Sequence, residues 1–81
     1  MDEITYEDVI EMLEDIKEGI DYDSVTTLWD DHYIDSFDLI AIVNAADEEF
    51  DITIPAKDII PANVNSARAI HAMLVRLADE D

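Results

Sequence analysis

From Tyr6 onward, apolar residues fall on one side of a helical repeat: Tyr6, Val9, Ile10, Leu13 and Ile16 share a face, while Glu7, Glu11, Glu14, Asp15 and Glu18 fill the other. Thr5 with Asp8 three residues later has the spacing of a capping box, with the shorter Asp where Glu or Gln is usual. Gly19, the one glycine of the chain, stands where a left-handed C-cap is wanted. A first helix is predicted over roughly residues 5–18. Beyond it Ile20, Val25, Leu28 and Trp29 recur without a helical period, which predicts a long loop over residues 20–34 with Leu28 and Trp29 anchored on the core. Loops of this length in so small a chain are often functional.

The second helix is expected to begin at Asp35 or Ser36, because Phe37, Leu39, Ile40, Ile42, Val43, Ala46 and Phe50 then form a broad apolar stripe. Asp35 and Asp38 fall in its first turn, where the helix dipole favours negative charge. Ile52 and Ile54 before Pro55 indicate extended chain, since proline disfavours helix at the residue preceding it. Residues 56–60, ended by Pro61, leave room for one short helix at most. Asn65 or Ser66 can cap a last helix with Ala67, Ile70, Leu74 and Leu77 inside and Arg68, Arg76, Asp79 and Glu80 outside. Met12 and Met73 are expected as fillers at the core edge, and His71 near the solvent boundary of the last helix. The fold class is all-α: a small four-helix bundle of three main helices and one short one, with a long loop between the first two.

Length and charge narrow the function. Eighty-one residues make one domain, spanning 1–81. Twenty-two acids against four bases give a net charge of -18, which excludes nucleic acid and disfavours anionic membranes, since phosphate binding needs clustered Lys and Arg. The chain is nevertheless 49% hydrophobic, so it folds, with an acidic surface. Cysteine is absent, which removes disulfides, thiolate zinc sites and a cysteine nucleophile, and any thiol chemistry has to be imported. Met1, Asp2 and Glu3 form no basic or apolar leader and no apolar run is long enough to span a bilayer, so the expectation is a soluble cytoplasmic protein without membrane insertion.

Enzymatic patterns fail one after another. A single glycine rules out a glycine-rich phosphate loop, and there is no H-E-x-x-H pair. Ser36, His32 and Asp35 lack the glycine-flanked elbow of a nucleophilic serine. Asp21, Asp23, Asp30 and Asp31 lack the spacing and glycine of a calcium loop, leaving loose counter-ion binding. Ser36 stands out by position: a serine in the first turn of an acidic helix after a long loop presents its hydroxyl where backbone N–H groups are unpaired, a place suited to a phosphate ester. Ser36 as a mere N-cap is the bland alternative, although Asp35 and Asp38 can also cap.

The stretch Ile34-Asp35-Ser36-Phe37-Asp38-Leu39, followed by Asp47-Glu48-Glu49-Phe50-Asp51-Ile52-Thr53-Ile54-Pro55, resembles the acyl carrier proteins, whose signature is Asp-Ser-Leu, an acidic helix and an E-E-F-x-x-x-I-P ending. The resemblance covers nearly the whole chain in length and helix order. It implies a carrier in which Ser36 is modified with 4'-phosphopantetheine by a phosphopantetheinyl transferase using coenzyme A and Mg²⁺, with Asp35 helping to position the metal. Cargo then rides as a thioester on the arm's terminal thiol, and the protein is a monomeric shuttle rather than an enzyme. Implied partners are the transferase, an acyl- or aminoacyl-loading ligase or synthase, and a downstream transferase.

The second-helix face around Phe37, Asp38, Ile40, Ala41, Asp47 and Glu48 is the expected docking surface. From Glu18 to Ala56 there is no Lys or Arg, so this part of the chain steers basic partners without tight binding. Tyr33-Ile34-Asp35-Ser36-Phe37 lacks the glycine of fatty-acid carriers and is closer to the Leu-Leu-Asp-Ser-Phe form of D-alanyl carrier proteins. Ala41 and Asn44 replace the Glu and apolar residue common in fatty-acid carriers, which points to aminoacyl or other short cargo. An unmodified acidic adaptor using the same face is the alternative. His32 neighbours Ser36 in sequence alone.

The charge itself generates a test. Millimolar Mg²⁺ or added salt is expected to raise the thermal midpoint by screening self-repulsion. An unchanged midpoint would show that the acids are already dispersed or paired.

Overall fold

The computed structural model describes residues 4–80 and contains four α-helices: α1 (Tyr6–Ile16), α2 (Ser36–Phe50), α3 (Pro61–Val64) and α4 (Ala67–Asp79). Met1, Asp2 and Glu3, on which the leader expectation rested, and Asp81 lie outside the described residues. The radius of gyration is 11.5 Å, against about 12 Å expected for a compact chain of this length. α1 packs against both α2 and α4, and α3 lies on α4. Between them lies one core that includes Val9, Met12, Leu13, Leu28, Ile42, Ala46, Ile70 and Leu74. The all-α bundle with three longer helices and one short one is thus what the chain forms, and no strand occurs among the described residues.

Short-range capping fixes the helix starts. The Thr5 hydroxyl accepts from the Asp8 N–H while the Asp8 carboxylate accepts from the Thr5 N–H, the reciprocal arrangement the spacing predicted. Ser66, rather than Asn65, caps α4, accepting from the Ala69 N–H at 3.0 Å. The end of α1 differs from expectation. The helix stops at Ile16, and Lys17 is extended (φ -152°). The cause is Tyr22, buried in the core, whose hydroxyl donates to the Lys17 carbonyl at 2.5 Å with the Leu13 carbonyl 3.2 Å away. Gly19 is left-handed (φ 92°), two residues past the cap, and turns the chain back toward Tyr22.

The segment between α1 and α2 is a chain of turns, as predicted, with Leu28 buried and Ile20, Val25 and Trp29 half-buried against the core as expected; Tyr22 and Ile34, both buried, are further anchors. Leu28 and Ile34 approach each other, the Ile34 N–H donating to the Leu28 carbonyl at 3.0 Å, so that residues 28–34 form a closed loop. Asn65 holds this loop from the α3–α4 junction. Its carbonyl accepts from the Leu28 N–H at 2.8 Å, its Oδ1 from the Trp29 and Asp30 N–H groups at 3.0 and 3.1 Å, and its Nδ2 donates to Asp30 Oδ2 at 3.2 Å.

Pro61 starts a helix instead of ending one. Residues Ala56–Asp58 make a single 3-10 turn, and α3 comes next with Pro61 at its first position, where a missing N–H costs nothing and φ is already helical. Arg76 of α4 ties that turn down through Asp58 Oδ1 at 2.8 Å and also pairs with Glu80 at 2.9 Å. Met12 and Met73, expected at the core edge, are buried within it. His71 is half-buried, its Nε2 2.8 Å from the Ile4 carbonyl and its ring edge-on to Tyr6.

Candidate functional site

The N-terminus of α2 is built by two aspartates and one lysine. The Asp35 carboxylate accepts from the Asp38 N–H at 3.0 Å, and Asp38 Oδ2 accepts from the Asp35 N–H at 3.0 Å. Each satisfies a donor that the helix start leaves without a partner. Asp38 Oδ2 also accepts from the Lys17 ammonium at 3.1 Å, so the end of α1 is joined to the start of α2 by charge. Burial of Asp38 opposes its ionisation, but the hydrogen bond from the Asp35 N–H and the Lys17 ammonium outweigh it and hold the carboxyl below its ordinary value of 3.8. Burial, followed by the charges of Asp38 and Glu14, pushes the Tyr22 phenol up, which keeps it a hydrogen-bond donor at the end of α1.

Ser36 is therefore not the cap. Asp35 takes that position, and Ser36 is the first residue of α2, exposed, with its hydroxyl in no hydrogen bond among the described residues. Beside it Phe37 is 82% exposed and Ile40, one turn on, 58%. Phe37 and Ile40 thus stand exposed beside a hydroxyl that has no bonding partner among the described residues. Asp47 and Glu48 are exposed farther along α2, Ala41 is half-buried, and Asp38, 17% exposed, is committed to Lys17 and the cap. Phe37, Ile40, Asn44 and Asp47 succeed one another at three- and four-residue steps, all exposed, so one stripe of α2 runs from apolar near Ser36 to acidic farther along.

Sequence reasoning missed Tyr33, 41% exposed and three residues before Ser36, and Ile60, 46% exposed on the approach to α3. It also missed Lys17 and gave Asn65 only as a candidate cap; the contacts of both join residues far apart in the chain and leave no periodic trace. His32 is exposed and left-handed (φ 62°), with its N–H bonded to the Trp29 carbonyl. The loop aspartates act as hydrogen-bond acceptors: Asp23 takes the Tyr6 hydroxyl at 2.7 Å, Asp30 the Asn65 amide and Asp31 the Thr27 hydroxyl at 2.6 Å. Among the described residues no three His, Cys, Asp or Glu side chains converge to hold a metal ion. A groove of about 460 Å³ lined by Phe50, Ile52, Pro55 and Leu77 opens at the other end of α2, about 21 Å along the helix axis from Ser36, and is separate from the Ser36 surface.

No helix among the described residues is long and apolar enough to cross a membrane. No family model matches the chain, and neither a curated protein nor a solved structure does.

The Asp38 contacts predict a pH dependence. A carboxyl whose value is lowered by folding stabilises the folded state above the ordinary carboxylate range, and that contribution is lost as the pH falls through the lowered value. At neutral pH and moderate salt, Asp38→Ala is expected to cost about 1 kcal/mol of unfolding free energy. The gap to the parent should close as the pH drops below 3.8. A gap that persists undiminished into acid would show that the charge of Asp38 is not what matters.

Proposed function

We propose that this chain is an acyl carrier protein: a substrate and shuttle, not an enzyme, that bears 4'-phosphopantetheine on Ser36. The observation that carries the proposal is the division of labour at the start of α2, where Asp35 and Asp38 do the capping and leave the exposed Ser36 hydroxyl without a structural task. The residues fit the group. The hydroxyl is accessible, and the first turn of α2 brings the positive end of a fifteen-residue helix to the phosphate that would be esterified there. In the modification a phosphodiester forms at Ser36 Oγ as the pyrophosphate bond of coenzyme A breaks; the nucleotide half leaves, and the hydroxyl proton passes to the transferase. Asp35, exposed beside Ser36, would help hold the Mg²⁺ that accompanies coenzyme A, with the remaining ligands supplied by coenzyme A and the transferase.

The bound arm supplies the thiol that this cysteine-free chain lacks, and cargo is carried on it as a thioester. Phe37 and Ile40 give partner enzymes an apolar contact next to the attachment point, and Asp47 and Glu48 give a charged one that steers basic surfaces. Short acyl or aminoacyl cargo fits the resemblance to D-alanyl carriers. The protein works as a cytoplasmic monomer, loaded by a ligase or synthase and discharged by a downstream transferase.

The test is the intact mass before and after incubation with coenzyme A, Mg²⁺ and a broad-specificity phosphopantetheinyl transferase. The parent is expected to gain one phosphopantetheine and Ser36→Ala none. No gain in folded protein that carries no earlier modification would reject the proposal and favour an acidic adaptor that docks through Phe37 and Ile40.

A further inference from the structure

The segment that delivers Ser36 to the surface is held from the α3–α4 junction, distant in sequence. Residues 28–34 close on themselves through the Ile34 N–H and the Leu28 carbonyl, and Leu28 and Ile34 are buried. Ile34 is followed at once by Asp35, the cap of α2, and by Ser36. The loop therefore fixes where α2 begins, provided the loop itself is fixed. Its largest set of polar tethers comes from one residue, Asn65, which accepts three backbone N–H groups from Leu28, Trp29 and Asp30 and donates to the Asp30 carboxylate. The two N–H donors at Oδ1 leave the Nδ2 end of the amide for Asp30, so both ends of the side chain are used. Capping of α4, the simpler role for an Asn at this place, is done by Ser66.

We infer that Asn65 is a positioning residue for Ser36: through the 28–34 loop it sets the placement of the α2 N-terminus that the transferase must engage. The inference rests on Ser36 being the modified residue. It reaches further in assigning control of that site to a side chain on the α3–α4 junction. Reaction geometry is sensitive to small displacements of this kind, since a misplacement of about 1 Å can cost up to about 100-fold in rate. Removal of the Asn65 side chain frees the Trp29 and Asp30 N–H groups and loosens the loop, while the core residues of α1 and α4 keep their neighbours.

Two readouts on the full chain test this. Amide hydrogen exchange of Asn65→Ala is expected to rise about ten-fold or more at Ile34, Asp38 and Leu39, whose N–H groups report on loop closure and on the first turn of α2, with α1 and the buried part of α4 unchanged. At a temperature where the variant is fully folded, its kcat/KM for phosphopantetheinyl transfer should fall by about ten-fold. Asn65→Asp, which sets a second carboxylate against Asp30, should show the same defect, and adding Asp30→Asn should restore both readouts by reversing the polarity of the pair.

Exchange that rises at Trp29 and Asp30 only, or modification of the variant at the parent's rate, would overturn the inference. If Asn65→Ala does not fold, Asn65→Asp takes its place with the same outcomes. If the parent itself gains no phosphopantetheine, the proposed function fails separately, and exchange at Ile34, Asp38 and Leu39 alone decides whether Asn65 governs this segment.

Discussion

The Asp38 carboxylate accepts from the Asp35 N–H and from the Lys17 ammonium at once, and three features of the molecule depend on that contact. It begins α2 at Ser36, because the reciprocal bonds between Asp35 and Asp38 satisfy the first helical donors. It joins the end of α1 to the start of α2 across the long loop, and so limits where Ser36 can stand. It also uses the only Lys or Arg in the first fifty-six residues to neutralise one acid in a chain of net charge -18. An exposed ion pair contributes little on its own; this one is three-membered and half-buried, and the helix start is built on it.

Both arginines are likewise committed to contacts within the fold. Arg76 ties α4 to the 3-10 turn through Asp58, and Arg68 lies over the Tyr6 ring at 5.0 Å. The span from Glu18 to Ala56 thus carries many acids and no Lys or Arg of its own, and Lys17 reaches it at Asp38 alone among the described contacts. Against this background the exposed Phe37 and Ile40 are the apolar exception beside Ser36. Under the proposed carrier function, charge that steers partners in and a small apolar contact that orients them would suit the fast release a shuttle requires.

The starts of α1, α2 and α4 were legible in the sequence to within a residue because a cap is a contact between residues three apart: Thr5 with Asp8, Asp35 with Asp38, and Ser66 with the Ala69 N–H. The apolar stripes of α1 and α4 were legible for the same reason of short-range periodicity. The end of α1 was not, since it is set by Tyr22 folding back on the Lys17 carbonyl, a contact no helical period announces. Pro61 carried two opposite signals, as the terminator of residues 56–60 and as the first residue of a new helix, and the second prevails. Ser36 was legible as a candidate from its place after the loop. Its spacing alone left open whether the hydroxyl was needed as a cap, and the geometry assigns that task to Asp35.

The central claim is that the fold does not use the Ser36 hydroxyl. It is tested most directly by unfolding Ser36→Ala and Asp35→Ala side by side at neutral pH and moderate salt, where self-repulsion is screened. The expected result is that Ser36→Ala stays within about 0.5 kcal/mol of the parent, while Asp35→Ala loses about 1 kcal/mol. A loss in Ser36→Ala as large as that in Asp35→Ala would contradict the claim, because the hydroxyl would then belong to the fold.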